Sequence, residues 1–150
     1  CVPVALASST RSEVVLQQLR DAGIAEYFQV VIGGDMVKRS KPQPDIFLKA
    51  CEELGVEPKN AFAIEDSYNG IRAAAAGCLR PLMVPDLMPP TEEMERLSER
   101  IFATLLDVRD YLRVAMSPAQ MNQIDCRELA RGQAYLRSDV YGECRDSEQA

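Results

Sequence analysis

Three short stretches of this 150-residue chain carry side chains suited to phosphate and metal chemistry. They are Ser8-Ser9-Thr10, Lys41 within Ser-Lys-Pro, and the adjacent acids Glu65 and Asp66 followed by Ser67. Hydroxyls and backbone N–H groups that converge at the start of a helix make a cradle for an anion. A lysine in a loop ahead of a helix reaches a phosphate as a point charge. Adjacent carboxylates suit a hard divalent cation such as Mg²⁺. Each stretch also has a plainer reading. Ser and Thr cap many helices with no ligand present, and most loop lysines are merely solvated. An acidic loop before a helix can be only an N-cap, with Asp66 or Ser67 holding free amide hydrogens.

The elements that must position these residues follow from apolar patterning. Val2–Ala7 is a short unbroken apolar run, the mark of a strand buried on both faces of a parallel sheet, and it ends at Ser8. Arg11–Ala22 carries Val15, Leu19 and Ala22 at helical spacing, with Gly23 as a stop. A short helical turn is expected over Ile24–Phe28 and a second strand over Val30–Ile32, ending at Gly33-Gly34-Asp35. Pro44–Leu54 is the next helix, with Phe47, Ala50 and Leu54 on one face. Ala61–Ile64 is a strand that stops at Glu65-Asp66, and a small-residue helix closed by Gly77 follows. Ligands gather at the carboxyl ends of such strands. Pro81–Val84 reads as a fourth strand. Thr91 caps a helix whose apolar face is Met94, Leu97 and Ile101, and Leu105, Val108 and Leu112 mark another. The repeated strand–helix units predict an α/β fold with a parallel sheet. Beyond 112 the pattern weakens, so residues 113–150 are expected to form a tail, with one helix from Ser117 to about Arg131 and no assigned function.

Composition narrows the field. Hydrophobic residues are 47% of the chain and charged residues 27%, with a net charge of −6. That balance fits a globular domain and argues against a nucleic-acid surface, which needs clustered Lys and Arg. No apolar run approaches the roughly 20 residues that span a bilayer, and no signal peptide is visible. Five scattered cysteines without C-x-x-C spacing suit a reducing cytoplasm. The chain has no histidine, which excludes a Ser-His-Asp triad and leaves acid–base work to carboxylates or Lys.

The three stretches occur in a fixed order: a hydroxyl cluster, then SKPQPDIF, then EDSYNGIRAAAAG. That constellation resembles the haloacid dehalogenase-like superfamily, in the branch holding β-phosphoglucomutase and phosphoglycolate phosphatase-like enzymes, and covers residues 1–112. The resemblance implies a three-layer Rossmann-like core. It implies that Ser8, with the Ser9 amide, binds the transferring phosphoryl group. Lys41 would stabilise phosphate charge and orient the nucleophile, and Glu65 and Asp66 would hold Mg²⁺, with Asp66 in direct contact. The substrate would be a small phosphorylated metabolite, and phosphatase and phosphomutase chemistry stay open. The family nucleophile is the first Asp of a D-x-D motif, and the chain contains no D-x-D. Asp107-Val-Arg-Asp110, in an expected helix, cannot replace it. The resemblance begins at the family's second strand, so the central first strand and the helical cap are expected to lie before Cys1. Without that strand Val2–Ala7 and Ala61–Ile64 would each expose an unpaired edge. The expectation is therefore a chain inactive alone, part of a longer enzyme or completed by an N-terminal fragment. The alternative is a non-catalytic interaction module that uses its open sheet edge to pair with another chain or with itself.

Overall fold

The computed structural model describes residues 2–116. Short apolar runs and amphipathic stretches alternate as strands and helices. They run β1 (Ala5–Ala7), α1 (Ser12–Asp21), β2 (Val30–Ile32), α2 (Asp45–Leu54), β3 (Phe62–Glu65), α3 (Tyr68–Ala76), β4 (Arg80–Met83), α4 (Glu92–Leu97), β5 (Arg100–Ile101) and α5 (Leu105–Ala115). Helical 3₁₀ turns at Ala25–Tyr27, Gly34–Met36 and Pro58–Asn60 fill three of the connections. All strand pairs are parallel, as the βαβ alternation requires. The strands form two sheets: β1 with β2, and β3-β4-β5. Among the described residues β1 and β3 are therefore each unpaired along one edge, which is where the sequence expects a central strand.

One apolar cluster joins the two sheets without strand hydrogen bonds. Ile32 of β2 and Ala63 of β3 pack with Ile46, Phe47, Ala50 and Cys51 of α2 and Ala73 and Ala74 of α3. Small residues on α3 let its backbone approach the sheet, and Ala73 and Ala74 are fully buried. Successive strand residues face opposite sides, so Phe62 and Ile64 point away from this cluster. Phe62 meets Tyr111 of α5 edge-on at 6.1 Å. Ile64 remains 46% exposed against an open apolar groove of about 490 Å³, lined by Val2, Leu105, Val108, Leu112 and Met116. Helices thus lie on both faces, giving three layers.

Several boundaries differ from the sequence expectation. The first strand covers only Ala5–Ala7 and is half-buried, because Pro3 has no N–H to donate and one edge of the strand is open. The helix capped by Thr91, whose hydroxyl accepts from the Met94 N–H, stops at Leu97. Ile101 lies on β5 and not on that helix. The Glu99 and Phe102 N–H groups donate to the carbonyls of Pro81 and Met83 at 2.7 and 2.8 Å, drawing the segment into the sheet. Leu105 is exposed, so Val108 alone of the expected α5 trio is deeply buried. The helix reaches Ala115, past the expected boundary at 112, and residues 117–150, with the helix expected from Ser117 to about Arg131, lie outside the described residues. Gly77 ends α3 as expected, but the left-handed position is Cys78, at φ 60°. Cys51 is a free, buried thiol whose pKa burial pushes up, whereas Cys78 is disulfide-bonded, a departure from the free thiols expected.

A polar network closes the outer end of the second sheet. Arg80 on β4 donates two hydrogen bonds to Glu99, at 2.7 and 2.6 Å, and the Tyr111 hydroxyl donates to the same carboxylate at 2.6 Å. Burial raises the Glu99 pKa. The Arg80 and Tyr111 hydrogen bonds and the Arg80 charge lower it by more, so the group sits below its usual range. A depressed carboxyl stabilises the fold above its unfolded pKa and loses that contribution as pH falls through the folded value. We predict that Glu99→Gln costs about 1 kcal/mol near neutral pH, a figure held down by the partial exposure of the pair. Thermal denaturation from pH 7 to pH 3 should show the gap from wild type closing below about pH 4. A gap that does not change with pH would contradict this account.

Candidate functional site

The carboxyl ends of β1 and β3 open onto one cleft of about 780 Å³. Ser8, Ser9, Lys41, Glu65 and Asp66 all line it. Residues 57 positions apart in sequence meet there because both strands run parallel and end on the same side.

Lys41 crosses the gap between the sheets. Its Nζ donates to the Ala7 carbonyl at the end of β1, at 3.3 Å, and pairs with Glu65 Oε1 at the end of β3. It also lies over the Phe47 ring, 4.8 Å from the centroid. The Lys41 and Glu65 side chains are only 11% and 9% exposed, so the ion pair is largely removed from water. The Lys41-Pro42 peptide is cis. Gly70 makes room for the arrangement. A Cβ there would stand 1.9 Å from Glu65 Oε2, so a side chain at this position would push the carboxylate out of the place where it meets Lys41.

The acidic loop resolves into separate tasks. Ser67 Oγ accepts from the Gly70 N–H at 3.1 Å and is the N-cap of α3. The same hydroxyl donates to Glu65 Oε2 at 3.1 Å. Both Glu65 oxygens therefore meet protein donors. Asp66 is exposed, does not cap the helix and has no hydrogen-bond partner among the described residues. The N-cap reading of this loop accounts for Ser67 and leaves Asp66 unexplained.

On the β1 side, the Ser8 N–H donates to the Ile32 carbonyl at 3.0 Å, and Ser8 Oγ accepts from the Thr10 N–H at 3.1 Å. The Ser8 hydroxyl hydrogen is left to donate elsewhere. The first amide of α1, beyond Ser8-Ser9-Thr10, is already used within the protein. This amide, Ser12 N, donates to Asp35 Oδ1 at 2.6 Å, so a carboxylate of the protein already occupies that position.

Asp66 and Glu65 offer hard oxygen donors, the type Mg²⁺ selects, and Mg²⁺ is commonly held by one or two carboxylates with water and phosphate oxygens. Among the described residues no group of three or more metal-ligating side chains is present, so the donor set fits Mg²⁺ only with outside ligands. The cleft also holds residues that sequence reasoning missed as site candidates, chiefly Asp86 and Thr104. Asp86 was findable, since it follows a strand in the same way as Ser8 and Asp66. Thr104 was not, because the short strand before it carries only two residues.

The buried pair yields a stability prediction. Lys41→Met strands the Glu65 carboxylate with Ser67 alone and should cost about 3 kcal/mol, because breaking a buried pair leaves an uncompensated charge. Lys41→Met with Glu65→Gln should recover at least half of that loss in urea denaturation. Strict additivity of the two changes would show that the pair is not coupled.

The sequence pattern of the family described as haloacid dehalogenase-like hydrolase matches residues 1–77. The chain is 38% identical over 109 residues to the bifunctional riboflavin kinase/FMN phosphatase of Arabidopsis thaliana, covering 72% of this chain and 28% of that protein. It is 42% identical over 78 residues to phosphoglycolate phosphatase of Escherichia coli (strain K12), covering 51% of this chain and 31% of that protein. The crystal structure of CbbY from Rhodobacter sphaeroides in complex with phosphate superposes with a TM-score of 0.65 at 35% identity, covering 71% of this chain and 48% of that one. The chain therefore spans about a third of the length of the curated relatives it matches. The family pattern takes in Ser8, Lys41, Glu65 and Asp66 and extends over half of the sequence, and the chain belongs to the haloacid dehalogenase-like hydrolases.

Proposed function

We propose that the chain is the C-terminal, phosphate- and Mg²⁺-binding part of a phosphatase or phosphomutase that acts on a small phosphorylated metabolite such as a sugar phosphate. The observation that carries this reading is the convergence of Ser8, Lys41 and Asp66 on one cleft. The Ser8 hydroxyl and the Ser9 amide donate to the oxygens of the phosphoryl group. The Lys41 ammonium, held in place by Ala7 and Glu65, supplies a fixed positive charge beside it. Preorganised donors of this kind act most strongly where charge spreads over the equatorial oxygens during transfer. Asp66 would hold Mg²⁺, with Glu65 behind it, and the ion would neutralise phosphate charge. Lys41 also aims the attacking carboxylate, which this chain does not contain. We assign the protein to the cytoplasm, and the Cys78 disulfide weighs against that assignment.

The open edges of β1 and β3 support a second element of the proposal. One extended segment, parallel to both strands, would hydrogen-bond to each and cover Ile64 and Val2. If that segment ends in D-x-D, its first Asp reaches the cleft as nucleophile. Pairing of the free edges with a second copy or another chain, without catalysis, is the alternative for the same surface.

The 150-residue chain should show no Mg²⁺-dependent hydrolysis of an aryl phosphate. The form extended by its in-frame upstream coding sequence should gain it and lose about 10²-fold or more with Asp66→Asn. Turnover by the unextended chain that vanishes in Asp66→Ala would contradict the dependence on an outside nucleophile. A stop codon directly upstream, with no complementing chain, would leave the interaction-module alternative.

A further inference from the structure

We propose that Asp35, in the 3₁₀ turn that follows β2, is the positioning residue that fixes the Ser8–Thr10 loop for phosphate. The inference rests on the functional reading above and extends it to a residue outside the cleft. Asp35 holds the first residue of α1 at two points. Its Oδ1 accepts from the Ser12 N–H at 2.6 Å and its Oδ2 from the Ser12 hydroxyl at 2.9 Å. The loop is fastened again two residues earlier, where the Gly34 N–H donates to the Thr10 carbonyl at 2.9 Å.

The backbone of the β2 end comes close enough to do this only because it carries no side chains. A Cβ on Gly34 would stand 2.3 Å from the Ser9 carbonyl oxygen, and one on Gly33 would stand 2.2 Å from Ser12 N. The approach is backbone to backbone, so no rotamer change relieves it. The Gly-Gly-Asp sequence is therefore a docking surface for the segment that carries Ser8 and Ser9. The Ser12 hydrogen bonds hold the Asp35 carboxyl below its usual range, so it stays an ionised acceptor to lower pH than a free aspartate.

The consequence concerns aim. Ser8 Oγ is turned by its own bond to the Thr10 N–H, and Thr10 is fixed by Gly34. Releasing Ser12 lets the start of α1 and the loop before it shift relative to Lys41. A shift of this kind weakens phosphate contact without touching any phosphate ligand. It also frees the α1 amide that Asp35 occupies, so the loss would not come from a missing charge at the site.

The test is a titration of the 150-residue chain with inorganic phosphate, followed through the Ser9 and Thr10 amide resonances. Asp35→Ala should weaken binding roughly tenfold, whereas Asp35→Asn, which keeps an acceptor for the Ser12 N–H, should stay within about threefold of wild type. Ser12→Ala removes only the hydroxyl contact and should fall between them, which keeps the test decisive if Asp35→Ala does not fold. Equal binding by Asp35→Ala and wild type would overturn the inference and leave the functional reading intact. Equal weakening by Asp35→Asn and Asp35→Ala would also overturn it, since charge and not position would then be the cause. A wild-type chain that binds no phosphate would defeat the functional reading, and this inference with it.

Discussion

The arrangement depends on the ion pair between Lys41 and Glu65, because it spans two sheets that share no strand hydrogen bonds. Lys41 reaches the end of β1 through the Ala7 carbonyl and the end of β3 through Glu65. One side chain thereby fixes the separation of the two strand ends that carry Ser8 and Asp66. Burying such a pair is costly unless its remaining bonding capacity is met. Here Ser67 serves the second carboxylate oxygen and Gly70 gives the carboxylate room, so the helix that follows β3 is part of the same device.

The apolar core carries the mechanical load that the sheet does not. Ile32, Ala63 and the facing residues of α2 and α3 clamp the two sheets on one side. On the other side the covering is incomplete, and Ile64 faces a groove beneath α5. Full burial of an aliphatic side chain of this size is worth about 1.5–3 kcal/mol, so a segment entering that groove would gain apolar contact as well as backbone hydrogen bonds. The open edges and the groove lie side by side, which makes stability and proposed function two aspects of one surface.

Much of this was legible in the sequence, for reasons that differ by residue. Val30–Ile32 and Ala61–Ile64 stood out because short apolar runs bounded by Gly or acids have few alternatives. Thr91 and Gly77 were legible as helix limits, and both act so. β5 was hidden, since two residues leave no periodicity, and Ile101 falls at helical spacing from Leu97. The division of labour within Glu65-Asp66-Ser67 was also hidden, because which carboxylate turns inward depends on Lys41, 24 residues away. Asp35 was visible only as the residue after two glycines. That pair of glycines signals close backbone approach, but the approaching partner is settled by tertiary packing.

The central claim is that the two strand ends form one site for phosphate and Mg²⁺ together. Calorimetric titration of phosphate into the chain with and without Mg²⁺ tests it most directly, because coupling between two ligands must be reciprocal. Mg²⁺ should tighten phosphate binding by about tenfold or more in wild type and by less than twofold in Asp66→Asn. Phosphate affinity that ignores Mg²⁺, or a Mg²⁺ effect that survives in Asp66→Asn, would contradict the account.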